Sequence, residues 1–293
     1  MTGTPALDFC KLEGLGNDFI LLDERDHTAD APQTTLEKRI AWCRRGHDVG
    51  ADGVLTLLPP LTDGAVCTMH VTNADGSVPE MCGNGLRCVF RWLADQGVVA
   101  GNSWATVDTG AGPLQGRVLG DVIEVEMGDA TLADAEAAVD VDGVAFRGLD
   151  VATGNPHFVL DGSIVDLTDG PVDDDNMTLA QTHGSALEHH AHFPHRANIE
   201  FSRVDVENHA IDLVVWERGC GITQACGTGA CATAAAWVHR GALPENEVLQ
   251  VHLPGGDLGI TVGPARSERD GHVVRAIRMS GPARQVYLGQ GLQ

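Results

Sequence analysis

Short apolar runs alternate with glycine-rich turns along most of this chain. Runs of about four to eight residues that alternate in polarity, or that are rich in β-branched side chains, are typical of strands. On this basis we predict strands at residues 19–22, 54–58, 66–71, 122–127, 157–160, 211–216, 248–253 and 273–279, and a further strand-like segment at 285–288. The pattern therefore indicates a protein that consists largely of β-sheet.

Helical patterns are fewer, and they predict helices at residues 36–43, 85–95, 177–187 and 227–238. Many strands and few helices favour an α+β fold with substantial antiparallel sheet. The last helix is small and apolar on every side, so we expect it to run through the centre of a barrel or sheet. The second helix is expected to have a more solvent-exposed face, which carries Arg87, Arg91 and Asp95.

A repeat links the two halves of the chain. The motif Cys-Gly-x-Gly begins at Cys82 and again at Cys226, 144 residues later (226 minus 82). Each copy opens a helical segment with a tryptophan near its second or third turn, Trp92 and Trp237. We therefore expect two halves that share a fold and are related by a pseudo-twofold axis. The alternative is that two such turns arose separately in a chain with 36 glycines.

The stretch 128–143 is rich in Asp and Ala, and we interpret it as a boundary too polar and irregular to be core. The segment 285–288 is expected to cross back to the first half. These boundaries predict a first domain of residues 1–127 plus 285–293, carrying Cys82, and a second domain of residues 128–284, carrying Cys226.

The net charge of the chain argues against some classes of binding partner. The 293 residues include 41 acidic and 19 basic side chains, and the net charge of −22 would repel both nucleic acid and an anionic membrane surface. The acidic excess, together with few lysines beside many arginines, fits a salt-rich habitat or a GC-rich genome. Pyridoxal phosphate requires a Schiff-base lysine, and neither Lys11 nor Lys38 lies in an obvious cofactor loop. We expect no nucleic acid, no membrane partner and no cofactor.

We predict a cytoplasmic protein, because the sequence shows neither a secretory signal nor a long apolar span. The eight cysteines are then expected to be thiols, and six of them to be small buried apolar residues: Cys10, Cys43, Cys67, Cys88, Cys220 and Cys231. Histidines cluster at positions 183, 189, 190, 192 and 195, without the spacing of a metal site. We predict a solvated loop at residues 188–192 and no metal.

The two Cys-Gly-x-Gly motifs offer a specific chemistry. A cysteine just before a helix N-terminus faces unpaired N–H groups and the positive end of the helix dipole, which should lower its pKa. The glycines allow a carboxylate to approach those N–H groups. Two such elements across an interdomain cleft would supply an acid on one face of a substrate and a base on the other. Stereoinversion at an amino-acid α-carbon needs this arrangement, and the two helix N-termini would stabilise the carbanionic intermediate.

Six motifs occur in order along the chain: residues 14–19 (GLGNDF), 73–85 (NADGSVPEMCGNG), 154–157 (GNPH), 197–200 (ANIE), 216–219 (WERG) and 225–229 (ACGTG). Together they resemble the diaminopimelate epimerase family. The resemblance implies two similar domains, each with a sheet around a central helix, and a cofactor-independent two-base site between them. It also implies a homodimer that interconverts LL- and meso-diaminopimelate, on the route to lysine and peptidoglycan.

The resemblance also implies roles for individual residues. Cys82 and Cys226 would be the acid/base thiols. Backbone N–H groups would hold the reacting carboxylate, from Gly83, Asn84, Gly227 and Thr228. Six side chains would bind the amino-acid groups of the substrate: Asn17, Asn73, Asn155, Asn198, Glu217 and Arg218. His157 and Glu217 would tune the pKa values of the cysteines. Gly53 departs from the family, which often has glutamine there, and this removes a side-chain contact.

Two other interpretations stay open. A proline or hydroxyproline racemase also uses two cysteines without a cofactor. Such enzymes commonly have histidine where this chain has Asn84, and their cyclic substrates need no second clamp such as Glu217 with Arg218. The third interpretation is a noncatalytic thiol or metal-binding protein, which would retain metal and would catalyse no exchange of an α-proton with solvent.

Overall fold

The computed structural model describes residues 7–27, 31–166, 170–171, 175–267 and 272–292. The chain forms two compact units. Unit 1 comprises Met1–Glu126 with Ser280–Gln293, and unit 2 comprises Met127–Met279.

Within the described ranges, the helices are α1 (Leu36–Trp42), α2 (Gly83–Asp95), α3 (Asn176–Glu188) and α4 (Gly227–His239). The strands are β1 (Leu7–Gly14), β2 (Asn17–Asp23), β3 (Gly53–Leu58), β4 (Ala65–Asn73), β5 (Ala105–Thr109), β6 (Gly112–Leu119), β7 (Val122–Leu132), β8 (Ala137–Val141), β9 (Val144–Ala152), β10 (Pro156–Asp166), β11 (Gly170–Pro171), β12 (Asn198–Asp205), β13 (Ala210–Glu217), β14 (Gly221–Ile222), β15 (Val248–Leu253), β16 (Gly256–Val262), β17 (Arg266–Ser267), β18 (Val273–Pro282) and β19 (Arg284–Leu292).

Unit 1 surrounds α2 with strands. β1 pairs antiparallel with both β19 and β2, and β2 pairs in parallel with β3. The sheet continues through antiparallel β3–β4, parallel β4–β5 and antiparallel β5–β6 pairs. Helix α2 packs against β1, β2, β4, β6 and β19. Its Leu86, Val89, Phe90 and Leu93 are fully buried, which places the core of unit 1 around this helix.

Unit 2 repeats this plan around α4. β10 and β12 are parallel, β12 and β13 antiparallel, β13 and β15 parallel, and β15 and β16 antiparallel. Helix α4 packs against these five strands and β9, and its alanines are buried on all sides, as predicted. Since the same succession of pairings surrounds α2 and α4, the predicted α+β fold with two similar halves is confirmed.

A second apolar cluster in unit 2 joins α3 to the sheet. Helix α3 packs against β8, β12, β13 and β14. Leu179 and Leu187 of α3 belong to one buried cluster with Phe146, Phe158 and Phe201. This cluster holds the C-terminal end of α3, at Glu188, against the sheet. No described helix is long and apolar enough to cross a membrane.

The stretch 128–143 is not the irregular, non-core segment that its composition suggested. It contains the end of β7 and all of β8. Ala130, Leu132, Val139 and Val141 are buried there. In a strand every second side chain points to the same face, so a polar-looking segment can still supply an apolar face to the core. The interpretation of this segment as non-core was wrong.

Candidate functional site

Cys82 is the N-cap of α2. Its backbone is extended (φ −140°, ψ 109°), and its Sγ accepts a hydrogen bond from the N–H of Gly85 at 3.4 Å. A Cβ on Gly85 would lie 2.9 Å from Leu55 Cδ2 and 3.4 Å from the sulfur. Glycine at this position therefore leaves room for the thiol beside the first turn of α2, where backbone N–H groups have no partner within the helix.

A chain of polar side chains lies next to this thiol in unit 1. Asn17 Nδ2 donates to Asp52 Oδ2 at 2.7 Å, and Asn84 Nδ2 donates to Asn17 Oδ1 at 3.4 Å. Arg87 Nη2 donates to Asn84 Oδ1 at 3.0 Å, and Arg87 Nε donates to the carbonyl of Pro282 at 3.3 Å. Arg87 is fully buried, so its assignment to a wetter face was wrong, because these acceptors bind it inside the unit.

Charged neighbours hold the 14–19 motif in place. Arg45 Nη2 bridges Asp18 Oδ1, at 2.5 Å, and Asp52 Oδ1, at 2.8 Å. The buried Lys11 places its Nζ 2.7 Å from Asp18 Oδ2. Burial alone would raise the pKa of Asp18, but hydrogen bonds from Arg45 and Lys11 outweigh it and lower that pKa to about 2. The carboxylate of Asp18 therefore stays ionised beside Asn17.

Asn73 and Gly53 face each other in the β3–β4 register. The Nδ2 of Asn73 donates to Ser77 Oγ at 2.9 Å, so the carboxamide closes the turn after β4. A Cβ on Gly53 would lie 2.8 Å from the carbonyl oxygen of Thr72. In this backbone, a larger residue at position 53 would require Thr72 to shift.

Cys226 occupies the same position in unit 2, as the N-cap of α4 (φ −120°, ψ 105°). Its Sγ accepts from the N–H of Gly229 at 3.3 Å and lies 3.5 Å from Thr228 Oγ1 and 4.0 Å from Asn198 Nδ2. Only 5% of the residue is exposed. The two cysteines therefore have the same local geometry within their respective units.

The pKa of Cys226 is raised, whereas the helix N-terminus predicted a lowered value. Burial raises it well above the usual value, and the negative charge of Glu217 raises it further. Hydrogen bonds from Thr228 and from the N–H of Gly229 lower it, but by less. The expectation was wrong for this cysteine because loss of hydration outweighs the helix N-terminus. The thiol of Cys226 is therefore protonated at neutral pH.

A buried histidine–glutamate pair lies next to this thiol. His157 Nδ1 and Glu200 Oε1 are 2.6 Å apart, and both side chains are fully buried. His157 Nε2 is 2.9 Å from Asn155 Oδ1. Burial raises the pKa of Glu200, and the adjacent His157 lowers it by less. A Cβ on Gly229 would lie 3.2 Å from Glu200 Oε1 and 3.2 Å from Cys226 Sγ, so the pair reaches the start of α4.

The segment after β13 carries Glu217 and Arg218. Glu217 is half-buried, and its Oε1 accepts from Thr223 Oγ1 at 2.5 Å. The backbone N–H of Arg218 donates to Asn198 Oδ1 at 2.8 Å. The exposed guanidinium of Arg218 donates to the carbonyl of His195 at 3.1 Å. Asn198 thus connects this segment to Cys226.

Glu188, at the end of α3, anchors the same segment and was missed by the sequence analysis. It is 3% exposed, so its assignment to a solvated loop was wrong. Its two oxygens accept from Trp216 Nε1 and from the N–H of Gly219, each at 2.9 Å. Burial alone would raise the pKa of Glu188, but hydrogen bonds from Trp216 and Gly219 outweigh it and lower that pKa. Nothing in the local sequence indicates these partners.

Replacing Glu188 by glutamine is expected to reduce the free energy of unfolding by about 1–3 kcal/mol, because the new NH₂ group faces a buried N–H donor. Since the folded-state pKa of Glu188 is lowered, the loss should be full above pH 4.5 and should shrink as the pH falls through the lowered pKa. Urea unfolding followed by tryptophan fluorescence measures it. The matched control is Glu207→Gln, at an exposed turn position. Equal stabilities of E188Q and E207Q would contradict the anchoring role.

The other cysteines and histidines lie outside these clusters. Five of the six cysteines predicted as buried are buried, and Cys220 is exposed. Cys220 was wrongly assigned because it lies in a surface turn between Gly219 and Gly221, both with positive φ. His183 contacts the ring of Phe146 from within α3, while His189, His192 and His195 are exposed. The described residues include no group of three or more His, Cys, Asp or Glu side chains placed to hold a metal ion.

Comparison with known proteins gives a consistent result. The family model for diaminopimelate epimerase matches residues 9–133 and 150–285. The diaminopimelate epimerase of Moorella thermoacetica is 37% identical, over 97% of this chain and 98% of that protein. The enzyme of the same name from Synechocystis is 40% identical, over 97% and 99%. The chloroplastic diaminopimelate epimerase of Oryza sativa subsp. japonica is 39% identical, over 98% and 80%.

Solved structures share the fold at lower identity. A hydroxyproline epimerase from Agrobacterium vitis superposes with a TM-score of 0.74 at 13% identity, over 99% of this chain and 94% of that one. A probable proline racemase from Agrobacterium radiobacter gives a TM-score of 0.71 at 15% identity, over 97% and 92%. At these identities the likeness concerns the fold alone.

Proposed function

The chain belongs to the diaminopimelate epimerase family, and we propose that it interconverts LL- and meso-diaminopimelate, in the synthesis of lysine and peptidoglycan precursors, by a two-base mechanism without a cofactor. One observation carries the mechanism. Cys82 and Cys226 each cap a helix of their own unit with the same geometry, and each accepts a hydrogen bond from the third residue after it. Two equivalent thiols suit a reaction whose two directions are chemically alike.

The proton balance needs one thiolate and one thiol. The thiolate removes the α-proton, the electron pair of the broken C–H bond passes to the α-carbon and its carboxylate, and the opposite thiol gives its proton to the other face. The roles are exchanged for the reverse reaction. The raised pKa of Cys226 supports a protonated Cys226 as the proton donor in the direction in which Cys82 removes the α-proton. Such acid and base steps contribute about 10²- to 10⁴-fold to a rate.

The negative charge of the intermediate would lie on the reacting carboxylate. We assign its binding to the backbone N–H groups at the starts of α2 and α4, from Gly83, Asn84, Gly227 and Thr228. These N–H groups have no partner within the helix and are oriented before the reaction begins, which is what makes such donors effective.

The remaining substrate groups are two ammonium groups and a second carboxylate. We assign them to Asn17, Asn73, Asn155, Asn198, Glu217 and Arg218. A guanidinium can bind a carboxylate with two hydrogen bonds, which suits Arg218. We assign tuning of the Cys226 pKa to Glu217, whose charge raises it, and to His157, which acts through its contact with Glu200.

Proton NMR of the reduced protein with LL-diaminopimelate in D₂O, without added cofactor, tests the proposal. We expect deuterium at the α-position together with the meso isomer. Exchange with proline or hydroxyproline but not with diaminopimelate would reassign the chain to the racemases whose fold it shares. Absence of exchange with all three substrates would contradict the proposed function and favour a thiol or metal-binding protein.

We also propose a cytoplasmic homodimer. Free thiols are found at Cys10, Cys43, Cys67, Cys88 and Cys226, which supports a reducing compartment. Strand β19 exposes Val286, Tyr287 and Leu288, and neighbouring exposed apolar side chains are common at protein interfaces. Sedimentation velocity at micromolar concentration distinguishes a dimer from a monomer.

A further inference from the structure

Four side chains of unit 1, which we call the amide relay, are joined end to end beside Cys82: Asp52, Asn17, Asn84 and Arg87. The three links measure 2.7, 3.4 and 3.0 Å in that order. Asn84 lies in the first turn of α2, two positions after Cys82, and Arg87 lies in the next turn. The relay therefore ends within the helix that Cys82 caps.

The two ends of the amide relay have fixed hydrogen-bonding character. An ionised carboxylate only accepts, and a guanidinium only donates. Asp52 Oδ2 also accepts from the N–H of Asp18 at 3.0 Å, and Asp52 Oδ1 accepts from Arg45 at 2.8 Å. Arg87 is fully buried and donates to the carbonyl of Pro282 as well. One end is therefore an obligate acceptor and the other an obligate donor.

These ends determine how both carboxamides are oriented. Asn17 must turn its nitrogen to Asp52, which leaves its oxygen towards Asn84. Asn84 must turn its oxygen to Arg87 and its nitrogen to Asn17. Flipping either carboxamide would place oxygen against oxygen or N–H against N–H. Both carboxamide oxygens are thus occupied within the relay, while each nitrogen keeps one hydrogen outside it.

We propose that Asp52 and Arg87 are positioning residues, which hold the carboxamides of Asn17 and Asn84 as hydrogen-bond donors. Unit 1 then binds a carboxylate of the substrate rather than an ammonium group, an inference that rests on the proposed function. Burial supports this assignment, since Asn84 is only 5% exposed and the relay contacts fix its orientation. The positive charge of Arg87 and the positive end of the α2 dipole favour the same ligand charge.

Neutron diffraction from deuterium-exchanged crystals of the wild-type protein reads the orientation directly. We expect deuterium on the Asn17 atom that faces Asp52 and on the Asn84 atom that faces Asn17. An oxygen at either position overturns the proposal. This measurement needs no turnover, so a wild-type protein with the expected deuterium positions but no epimerisation would refute the proposed function and leave the relay standing.

Kinetics with Asp52→Asn test the consequence for binding. The carboxamide that replaces the carboxylate is no longer an obligate acceptor, so we expect KM to rise about tenfold, the effect of one good hydrogen bond, with kcat nearly unchanged. Pimelate, which lacks the amino groups, should inhibit D52N about tenfold more weakly than wild type, while inhibition by 1,5-diaminopentane, which lacks the carboxyl groups, should not change. Equal changes for both inhibitors would overturn the choice of carboxylate.

The double variant D52N/N17D separates binding from structure. The carboxamide now at position 52 can donate to the carboxylate now at position 17, which restores the hydrogen bond with reversed direction, so the melting temperature should recover. KM should stay raised, because a carboxylate at position 17 offers no N–H to the substrate. Recovery of KM together with stability would mean a merely structural role. The matched control is Asp205→Asn, which alters another Asp–Asn pair, at 2.7 Å in a surface turn, and should leave KM at the wild-type value.

Discussion

Replacing either Cys82 or Cys226 by alanine is expected to abolish epimerisation of diaminopimelate while the protein stays folded. Each substitution removes one of the two proton carriers, and the acid/base contribution alone corresponds to about 10²- to 10⁴-fold in rate. The structural cost is small by comparison, since the lost N-cap acceptor corresponds to about 0.5–2 kcal/mol of stability. The rate of conversion of LL- to meso-diaminopimelate, with circular dichroism for the fold, measures both effects.

The chain offers matched controls for these variants. Cys88 and Cys231 are buried thiols of the same two helices, and they cap neither helix. Cys88→Ala and Cys231→Ala should therefore retain most of the activity. Residual activity above a tenth of wild type in either Cys82→Ala or Cys226→Ala would contradict the two-base mechanism.

Replacing His157 by leucine is expected to reduce the free energy of unfolding by about 1–3 kcal/mol, because it leaves the buried carboxyl group of Glu200 without its hydrogen-bonding partner. The folded-state pKa of Glu200 is already raised, and loss of His157 removes a contribution that lowers it. A raised carboxyl pKa stabilises the folded state below the unfolded value of 4.5 and destabilises it as the pH increases. The defect should therefore be larger at pH 7 than at pH 4.5, as measured by urea unfolding.

Two further variants test whether the defect comes from the unpaired carboxyl. His157→Leu with Glu200→Met replaces both partners by apolar groups, and should recover much of the stability lost in the single variant. His70→Leu serves as the matched control, because His70 Nδ1 is buried without a hydrogen-bond partner among the described residues. A double variant no more stable than His157→Leu alone would contradict the explanation by an unpaired carboxyl group.

Much of the fold could be predicted because its elements carry strong local patterns. The apolar helix at 227–238 and the strands at 54–58 and 248–253 were found close to their observed bounds. Other strands lack a periodic signal, as in β6, which includes Gly112, Pro113 and Gly116. These strands form because neighbouring strands supply their hydrogen bonds, and no local pattern records a neighbour that is distant in sequence.

The same limit applies to the candidate site. The two cysteines were identified from a repeat within the sequence, but their supporting residues depend on distant partners. The buried Arg87 donates to the carbonyl of Pro282, 195 residues later in the chain. The buried Glu188 accepts from the indole of Trp216, 28 residues later. Glu200 did leave a signal, since it is a charged residue between Ile199 and Phe201 in a run of buried positions. A carboxylate on a buried strand requires a partner, and His157 provides it.

The alanine-rich surface of α4 affects how unit 2 opens as well as how it packs. Eleven of its thirteen residues are buried, so solvent can reach the interior amides only when the surrounding strands separate. Amides buried in this way are expected to exchange with solvent mainly through global unfolding. We therefore expect α4, and Cys226 at its N-terminus, to be among the last parts of unit 2 to open.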